Sequence, residues 1–168
     1  MRIGLVGKPN VGKSTAFSAL TELPVDIANY PFTTLIPNLG VVRKADGNGC
    51  LFADIPGLIS GAAEGVGLGH DFLRHIQRTK ILIHLIDSIA ENPIHDFEII
   101  EKELKRYGSG LLNKERIVVL NKMELVDEDY LKTITKKLEN LSKKKVLVIS
   151  SSLRKGLSPL LSEVWKRI

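Results

Sequence analysis

The sequence has few of the features that mark secreted or membrane proteins. Its one cysteine, Cys50, cannot form an intrachain disulfide, which suits a reducing compartment. No apolar run approaches the ~20 residues that a membrane-spanning helix needs, and no signal peptide precedes the first predicted strand. We therefore expect a cytoplasmic protein without a membrane span.

The residue sets needed for several kinds of catalysis are also missing. The four histidines and the single cysteine do not fall at metal-ligand spacing, and no nucleophile–base pair suggests covalent catalysis. His84 stands in an apolar run and is expected to be a hydrogen-bonded core residue. These absences argue against a zinc-type centre and against a covalent enzyme intermediate.

The composition that remains is that of a globular protein. Hydrophobic residues make up 43% and charged residues 26% of 168 positions, the length of one domain. The formal net charge of +5 points to an anionic partner such as RNA or nucleotide phosphate. We expect the chain to be a monomer.

Apolar segments alternate with amphipathic ones along the chain. This alternation predicts an α/β protein, a sheet with helices on both faces whose ligands bind at the carboxyl ends of the strands. Ser158 is expected to cap the last helix, with Pro159 at its first position. Strands are predicted at 2–7, 39–42, 51–55, 81–87, 117–121 and 145–150, and helices at 13–23, 70–79, 95–107, 129–141 and 157–168.

The segment "GKPNVGKS", Gly7 to Ser14, has the pattern G-x-x-x-x-G-K-S between a predicted strand and a predicted helix. Glycines let such a loop direct backbone N–H groups at one centre, with a helix N-terminus behind them, which favours phosphate. Lys13 can reach the β- and γ-phosphates, and the Ser14 hydroxyl can bind Mg²⁺. This segment predicts a nucleotide phosphate site.

Two further segments contain residues suited to the same site. Asp54 ends an apolar strand, where an acid commonly holds Mg²⁺, and Gly57 in "DIPG" can offer an unhindered N–H to a γ-phosphate. In "NYPFTTLIPNLGVV", one of two adjacent threonines can place its hydroxyl on Mg²⁺; the alternative is a surface loop.

"NKME", Asn121 to Glu124, follows a buried strand and resembles the N-K-x-D pattern that reads guanine. The carboxylate accepts from N1–H and the 2-amino group, and Glu124 is one methylene longer than the usual Asp. "ISSS", residues 149–152, can supply a backbone N–H to guanine O6. The alternative is that both segments are ordinary strand ends.

Together these residues resemble the Obg family of P-loop GTPases. "GKPNVGKST", "NYPFTTLIPNLGVV", "DIPGLISGAAEGVGLGHDFLRHIQRT", "HLID", "NK.E" and "ISSS" occur in the family's order and cover nearly the whole chain. The glycine-rich segment is the most specific of them. The resemblance implies a P-loop NTPase G domain with a mostly parallel six-stranded sheet.

The resemblance also implies a role for each motif. Ser14, Thr34 and Asp54 would hold Mg²⁺, while Lys13, Thr34 and Gly57 would serve the hydrolysis of GTP. Residues 32–36 would form switch I, and residues 54–57 would open switch II. The expected nucleotide contacts are Gly7, Lys8, Pro9, Asn10, Val11, Gly12, Lys13, Ser14, Thr15, Phe32, Thr33, Thr34, Leu35, Ile36, Asp54, Ile55, Pro56, Gly57, Asn121, Lys122, Met123, Glu124, Ser150, Ser151 and Ser152.

In function, the resemblance implies a slow Mg²⁺-dependent GTPase that switches between GTP and GDP states. Members act in assembly of the large ribosomal subunit, which implies contact with ribosomal RNA, and respond to guanine alarmones such as ppGpp. Full-length members begin with a glycine-rich domain. Residues 1–168 are expected to form a single G domain that lacks it.

Four residues bear on the alternative functions and on the cofactors that the protein would use. Glu124 is shared with the YchF-type proteins, which prefer ATP, although Lys122 is not, so a YchF-like ATPase stays open. Leu58 stands where many small GTPases have a water-orienting glutamine, so unaided hydrolysis should be slow. A non-catalytic guanine nucleotide sensor is therefore the other alternative. Asn10 occupies a position that helps bind K⁺ in some GTPases, which makes K⁺ a candidate cofactor.

Overall fold

The computed structural model of the chain describes residues 2–8, 11–21, 38–54, 77–108 and 110–168. The predicted helix at 70–79 lies almost wholly outside these ranges. The elements within them are β1 (Arg2–Val6), α1 (Lys13–Thr21), β2 (Asn38–Arg43), β3 (Gly49–Asp54), β4 (Thr79–Asp87), α2 (Pro93–Tyr107), β5 (Glu115–Asn121), α3 (Glu128–Ser142), β6 (Val146–Val148) and α4 (Leu157–Lys166), with short 3-10 helices at Leu111–Asn113 and Met123–Leu125.

The strands form one six-stranded sheet in the order β2-β3-β1-β4-β5-β6. All neighbouring strands run parallel except β2, which is antiparallel to β3. A tight turn joins that antiparallel pair, with Gly47 at φ +88° and a hydrogen bond from Lys44 N to Asn48 O. The predicted mostly parallel six-stranded sheet is confirmed.

Both faces of the sheet are covered by helices, as predicted. Side chains on successive residues of a strand point to opposite faces, so a strand buried on both sides is apolar throughout. In β4, Ile83 belongs to the same core as Phe17 of α1 and Val164 of α4. Its neighbour Leu82 belongs to the opposite core with Ile100 of α2. The apolar run of β4 is therefore explained by two cores that share one sheet.

The start of α4 differs from the prediction. The helix begins at Leu157 with Gly156 as its N-cap, so Ser158 and Pro159 both lie inside the first turn, and the predicted Ser158 cap is wrong. Gly156 has φ +77°, and a Cβ there would lie 2.5 Å from Val148 O. The close approach to β6 requires glycine at this corner, and the helix starts where that corner ends.

His84 lies in β4 and is fully buried, with its ring stacked on Phe97 at a centroid distance of 5.1 Å. Neither ring nitrogen has a hydrogen-bond partner among the described residues, so the predicted hydrogen-bonded state is not found there. Burial, and then the charge of Arg116, lower the pKa of His84 to about 3. The ring is therefore neutral, and its 3.9 Å approach to Glu101 is not an ion pair.

Within the described ranges, no helix combines the length and apolar character needed to cross a membrane.

Candidate functional site

The candidate site lies at the carboxyl edge of the sheet, where the loops after several parallel strands meet. Asp54 ends β3 beside Leu5 of β1, and Asp87 ends β4 beside Asn121, the last residue of β5. Parallel strands end at the same edge, so residues far apart in sequence are brought together there. The phosphate loop, Asp54, the Asn121–Glu124 segment and the serine loop each lie at or directly after the carboxyl end of one of these parallel strands.

The described part of the phosphate loop is held close to the sheet by its glycines. A Cβ at Gly7 would lie 2.7 Å from Leu85 O and 2.8 Å from Cγ2 of Val11, so a side chain there would collide with β4 and with the loop. Gly12 has φ +90°, a conformation that residues with side chains rarely adopt. The hydrogen bond from Ala16 N to Gly12 O then starts α1. The loop therefore leads directly into a helix N-terminus, the arrangement expected for an anion site.

Lys8 contributes to this loop through its backbone. Its O accepts a hydrogen bond from Val11 N at 3.4 Å. Its ammonium forms an ion pair with Asp96 in the first turn of α2, with an Nζ–Oδ1 distance of 2.9 Å. The side chain is thus directed to α2, and Lys13 is the lysine that lies beside the acid of β3.

The structure brings Lys13, Ser14 and Asp54 together. Ser14 Oγ donates to Asp54 Oδ2 at 3.4 Å. Burial lowers the pKa of Lys13, against the opposing charge of Asp54. Burial raises the pKa of Asp54, against the charge of Lys13 and the hydrogen bond from Ser14. A buried acid and a partly buried ammonium therefore lie close to one another at the start of α1.

The oxygen atoms of this cluster suit a hard divalent cation. Asp54 Oδ1 is buried and has no hydrogen-bond partner within the part of the chain described. Mg²⁺ prefers oxygen ligands and is commonly held by one or two carboxylates, together with water and substrate phosphate. The unpaired Oδ1 and the nearby Ser14 hydroxyl fit such an ion.

Asn121 joins three loops through its buried side chain, which is 1% exposed. Its Nδ2 donates to Val11 O in the phosphate loop at 3.0 Å. Its Oδ1 accepts from both N and Oγ of Ser151 in the loop after β6, at 3.0 and 2.9 Å. A Cβ at Gly12 would lie 2.4 Å from Asn121 Nδ2, so the loop packs directly on this amide. The phosphate loop and the candidate base loops are one connected unit.

Lys122 is fixed by Asp87 and Ser88, to which the sequence analysis assigned no role. It adopts φ +65°, and its Nζ lies 2.8 Å from Asp87 Oδ2. Ser88 Oγ donates to Lys122 O at 3.0 Å, and Ser88 N donates to Asn121 O at 3.1 Å. The position of Asp87 and Ser88 at the end of a buried parallel strand is the signal that could have identified them.

Glu124 lies in the 3-10 helix Met123–Leu125 and accepts a hydrogen bond from Ser152 Oγ at 2.7 Å. Burial acts to raise the pKa of Glu124, but the hydrogen bonds that it accepts, that of Ser152 foremost, and the charge of Lys122 outweigh it and lower the pKa. The carboxylate is therefore ionised and acts only as an acceptor at neutral pH.

The serine loop after β6 is closed by its own hydrogen bonds. Ser150 N donates to Lys155 O and Ser151 N to Asn121 Oδ1, so neither amide is directed at a ligand in this structure. Ser150 Oγ accepts from Leu153 N at 3.1 Å. A contact from Ser151 N to guanine O6 would require that amide to turn away from Asn121.

Several residues expected at the site lie outside the described ranges, and their predicted roles stay predictions. They are Pro9, Asn10, Phe32, Thr33, Thr34, Leu35, Ile36, Ile55, Pro56, Gly57 and Leu58.

A cavity of about 480 Å³ lies elsewhere, between α2 and α3 near the amino end of β5. Phe97, Val118 and Leu141 line it, with Glu101, Lys102 and other charged residues. It is within the usual size of ligand pockets, but it lies away from the carboxyl edge where the phosphate-loop residues meet.

Comparison with known proteins gives matches over the chain. A family model described as 50S ribosome-binding GTPase matches residues 2–122. A curated relative named GTPase Obg, from Prochlorococcus marinus subsp. pastoris, is 90% identical over 166 residues, which are 99% of this chain and 51% of the relative. The chain thus spans about half the length of that relative.

Two solved structures share the fold. One is Era in complex with MgGDPNP and nucleotides 1506–1542 of 16S ribosomal RNA, with a TM-score of 0.77 and 25% identity, covering 98% of this chain and 55% of that chain. The other is a variant of Era from Aquifex aeolicus bound to GDP·AlF4⁻, with a TM-score of 0.75 and 24% identity, covering 98% and 56%.

Proposed function

The chain belongs to the Obg family of GTPases, and on that premise we propose that it binds Mg·GTP and Mg·GDP and slowly hydrolyses GTP to GDP and phosphate. It would act as a switch between the two nucleotide states. Residues 1–168 would form one G domain, monomeric and cytoplasmic.

The main support for this proposal is that Asn121 connects the phosphate loop to the serine loop after β6. One buried amide holds the phosphate loop at Val11 and the serine loop at Ser151. Glu124 stands three residues further on. Two recognition elements on separate loops, one for phosphate and one for a base, are thereby fixed relative to each other. A nucleotide is the ligand that presents both groups at a fixed separation.

At the phosphate end, the residues supply positive charge and oriented donors. The Lys13 ammonium would neutralise β- and γ-phosphate charge, and the amides at the start of α1 would donate to phosphate oxygens. Ser14 and Asp54 would hold Mg²⁺, with Thr34 as the further predicted ligand. The ion, when bound, would neutralise charge on the phosphates during transfer.

At the base end, Glu124 favours guanine. Guanine presents two donors, N1–H and the 2-amino group, and an ionised carboxylate accepts from both. Adenine presents an acceptor at N1, which would face the same carboxylate unfavourably. The lowered pKa of Glu124 keeps the acceptor ionised. This supports GTP over the ATP that a YchF-like ATPase would prefer.

Hydrolysis without a partner should be slow. The side chain of Leu58 has no polar atom that could orient an attacking water, and positioning together with charge stabilisation provides most of phosphoryl-transfer catalysis. A partner, or K⁺ near Asn10, would supply what is missing. The alternative, a nucleotide sensor in which hydrolysis is incidental, rests on the same leucine.

We also propose that the protein contacts the ribosome. This contact is supported by the family model's description as a 50S ribosome-binding GTPase and by the chain's net charge of +5. We propose that the protein takes part in assembly of the large ribosomal subunit and responds to guanine nucleotides including ppGpp.

Single-turnover kinetics test the activity. Purified chain in excess over Mg·GTP should release phosphate slowly, well below one turnover per second, and faster when large ribosomal subunits or K⁺ are added. Lys13→Met, which lacks the ammonium, is the control for contaminating GTPase. Phosphate release at tens per second without a partner would contradict the role given to Leu58, and no release under any condition would favour the sensor.

A further inference from the structure

A groove between α2 and α3 collects charged side chains from three parts of the fold. Lys102 lies on α2, Arg116 near the start of β5 and Lys144 just after α3, and all three line the cavity of about 480 Å³. Two acids of α2, Glu98 and Glu101, also line it. Glu101 forms an ion pair with Arg116, so its charge is offset within the lining. We call this feature the α2–α3 groove.

The positive charge of the groove continues along both helices. Lys105 follows Lys102 by three residues on α2, and Lys137 precedes Leu141 by four residues on α3. Residues at these spacings lie on the same face of a helix, one turn apart. Lys102, Lys105 and Lys137 are exposed. Counted with the cavity lining, five cations and two acids border the groove.

The floor of the groove is apolar. Phe97, Val118 and Leu141 line the same cavity, and Leu141 is 43% exposed. Phe97 is held in place by its stacking on the buried ring of His84. The cavity, at about 480 Å³, has room for a planar ring system of the size of a nucleobase.

Positive rims and an apolar floor suit the two chemically different parts of a nucleic acid strand. Single strands are bound in grooves whose cations follow the phosphates and whose apolar or aromatic side chains contact unstacked bases. A row of lysines alone would be an ordinary solvated helix face. An acidic protein would meet the cations and leave the apolar cavity unfilled. The convergence of the lysines on a cavity therefore favours a strand with unpaired bases.

The groove lies towards the opposite edge of the sheet from the phosphate loop. Arg116 is the second residue of β5, whereas Asn121, which holds the phosphate loop and the serine loop, is the last. A strand in the groove and a nucleotide at the carboxyl edge would therefore not compete for the same residues. Variants of the groove should leave GDP affinity unchanged.

We propose that the α2–α3 groove binds single-stranded RNA, with phosphates on Lys102 and Lys144 and one base in the cavity beside Leu141. RNA is the nucleic acid expected because this inference rests on the proposed contact with the ribosome. It deepens that function by naming the surface that meets RNA and the form of RNA that it fits.

Fluorescence anisotropy with a labelled RNA strand of about ten nucleotides tests the role of the lysines. Lys102→Gln combined with Lys144→Gln should lower the slope of log K against log [KCl] by about 1.4, since each phosphate contact on a single strand contributes about 0.7. Over the decade between 1 M and 0.1 M KCl this amounts to about 25-fold in affinity. Arg43→Gln combined with Lys132→Gln removes two exposed cations that do not line the cavity, and should leave the slope nearly unchanged.

Leu141→Ser tests the place of the base. It should weaken binding of the single strand about three- to tenfold through lost apolar contact, without changing the salt slope. Binding of an RNA duplex should not change, because its bases are paired and stacked. Leu39→Ser, at a leucine of β2 that is 45% exposed, is the matched control and should affect neither ligand.

Three results would each overturn the inference. They are an equal change of slope in the two double variants, an equal effect of Leu141→Ser on single strand and duplex, and displacement of the RNA by polyglutamate as readily as by unlabelled RNA of the same charge. Co-sedimentation with large ribosomal subunits separates this failure from that of the proposed function. Subunit binding that the Lys102 and Lys144 double variant retains in full would refute the groove alone, whereas no binding by the wild-type chain would refute the ribosome contact.

Discussion

Replacing Gly12 with alanine should destabilise the phosphate loop in two ways, through its backbone conformation and through a collision with Asn121. Gly12 has φ +90°, and a Cβ there would lie 2.4 Å from Nδ2 of Asn121. The left-handed conformation alone costs about 1–2 kcal/mol for a residue with a side chain. Displacing Asn121 would break a buried hydrogen bond, at about 1–3 kcal/mol. The free energy of unfolding should therefore fall by about 2–5 kcal/mol.

Gly47→Ala is the matched control. Gly47 has nearly the same φ, +88°, but a Cβ there would have no atom within 4 Å. Gly47→Ala should lower the free energy of unfolding only by the cost of the left-handed backbone conformation, about 1–2 kcal/mol, and should leave nucleotide binding unchanged. The difference between the two variants measures the collision with Asn121.

Urea unfolding of the nucleotide-free chain gives the stabilities, and calorimetry with Mg·GDP gives the affinities. Gly12→Ala should bind GDP at least about tenfold more weakly than Gly47→Ala, equivalent to about 1.4 kcal/mol. In an Asn121→Ala background, Gly12→Ala should cost no more than Gly47→Ala does. Equal stability and equal GDP affinity for the two glycine variants would refute the packing of this loop on Asn121.

Two further predictions concern the metal and pH. Wild-type chain should bind GTP more tightly in Mg²⁺ than in EDTA, and Ser14→Ala should reduce this gain in affinity by about tenfold because one oxygen ligand is lost. A fluorescent-nucleotide titration measures the gain. An undiminished gain in the variant would exclude Ser14 as a ligand. The pKa of His84 is about 3 in the folded chain, below its ordinary value of 6.5. Between pH 6.5 and pH 3 the folded state therefore binds fewer protons than the unfolded state, and the free energy of unfolding falls as the pH falls through this range. Lowering the pH from 7.5 to 4.5 should therefore cost about 2–3 kcal/mol through His84. His84→Leu should remove that share of the acid sensitivity in urea unfolding, and an unchanged pH profile would show that another group causes it.

The features that could be predicted from the sequence are those that depend on residues close together in the chain. The apolar run of β4 is long enough to identify a strand buried on both faces, and the alternation of such runs with amphipathic helices predicts the sheet. The phosphate loop needs only eight consecutive residues to be identified.

The features that could not be predicted depend on strand order. Asp87 meets Lys122, and Ser152 meets Glu124, only because β4, β5 and β6 are neighbours in the sheet. Gly156 replaces Ser158 at the start of α4 because the preceding corner passes close to Val148 O. Such contacts join residues whose spacing in the chain carries no local signal.

Calorimetric titration of the chain with Mg·GDP and, separately, with Mg·ADP tests most directly whether the loops after β1, β5 and β6 form one guanine nucleotide site. One site per chain is predicted, with GDP bound at least about a hundredfold more tightly than ADP, because adenine leaves the Glu124 carboxylate facing an acceptor. No measurable GDP binding, or equal affinity for the two nucleotides, would contradict it.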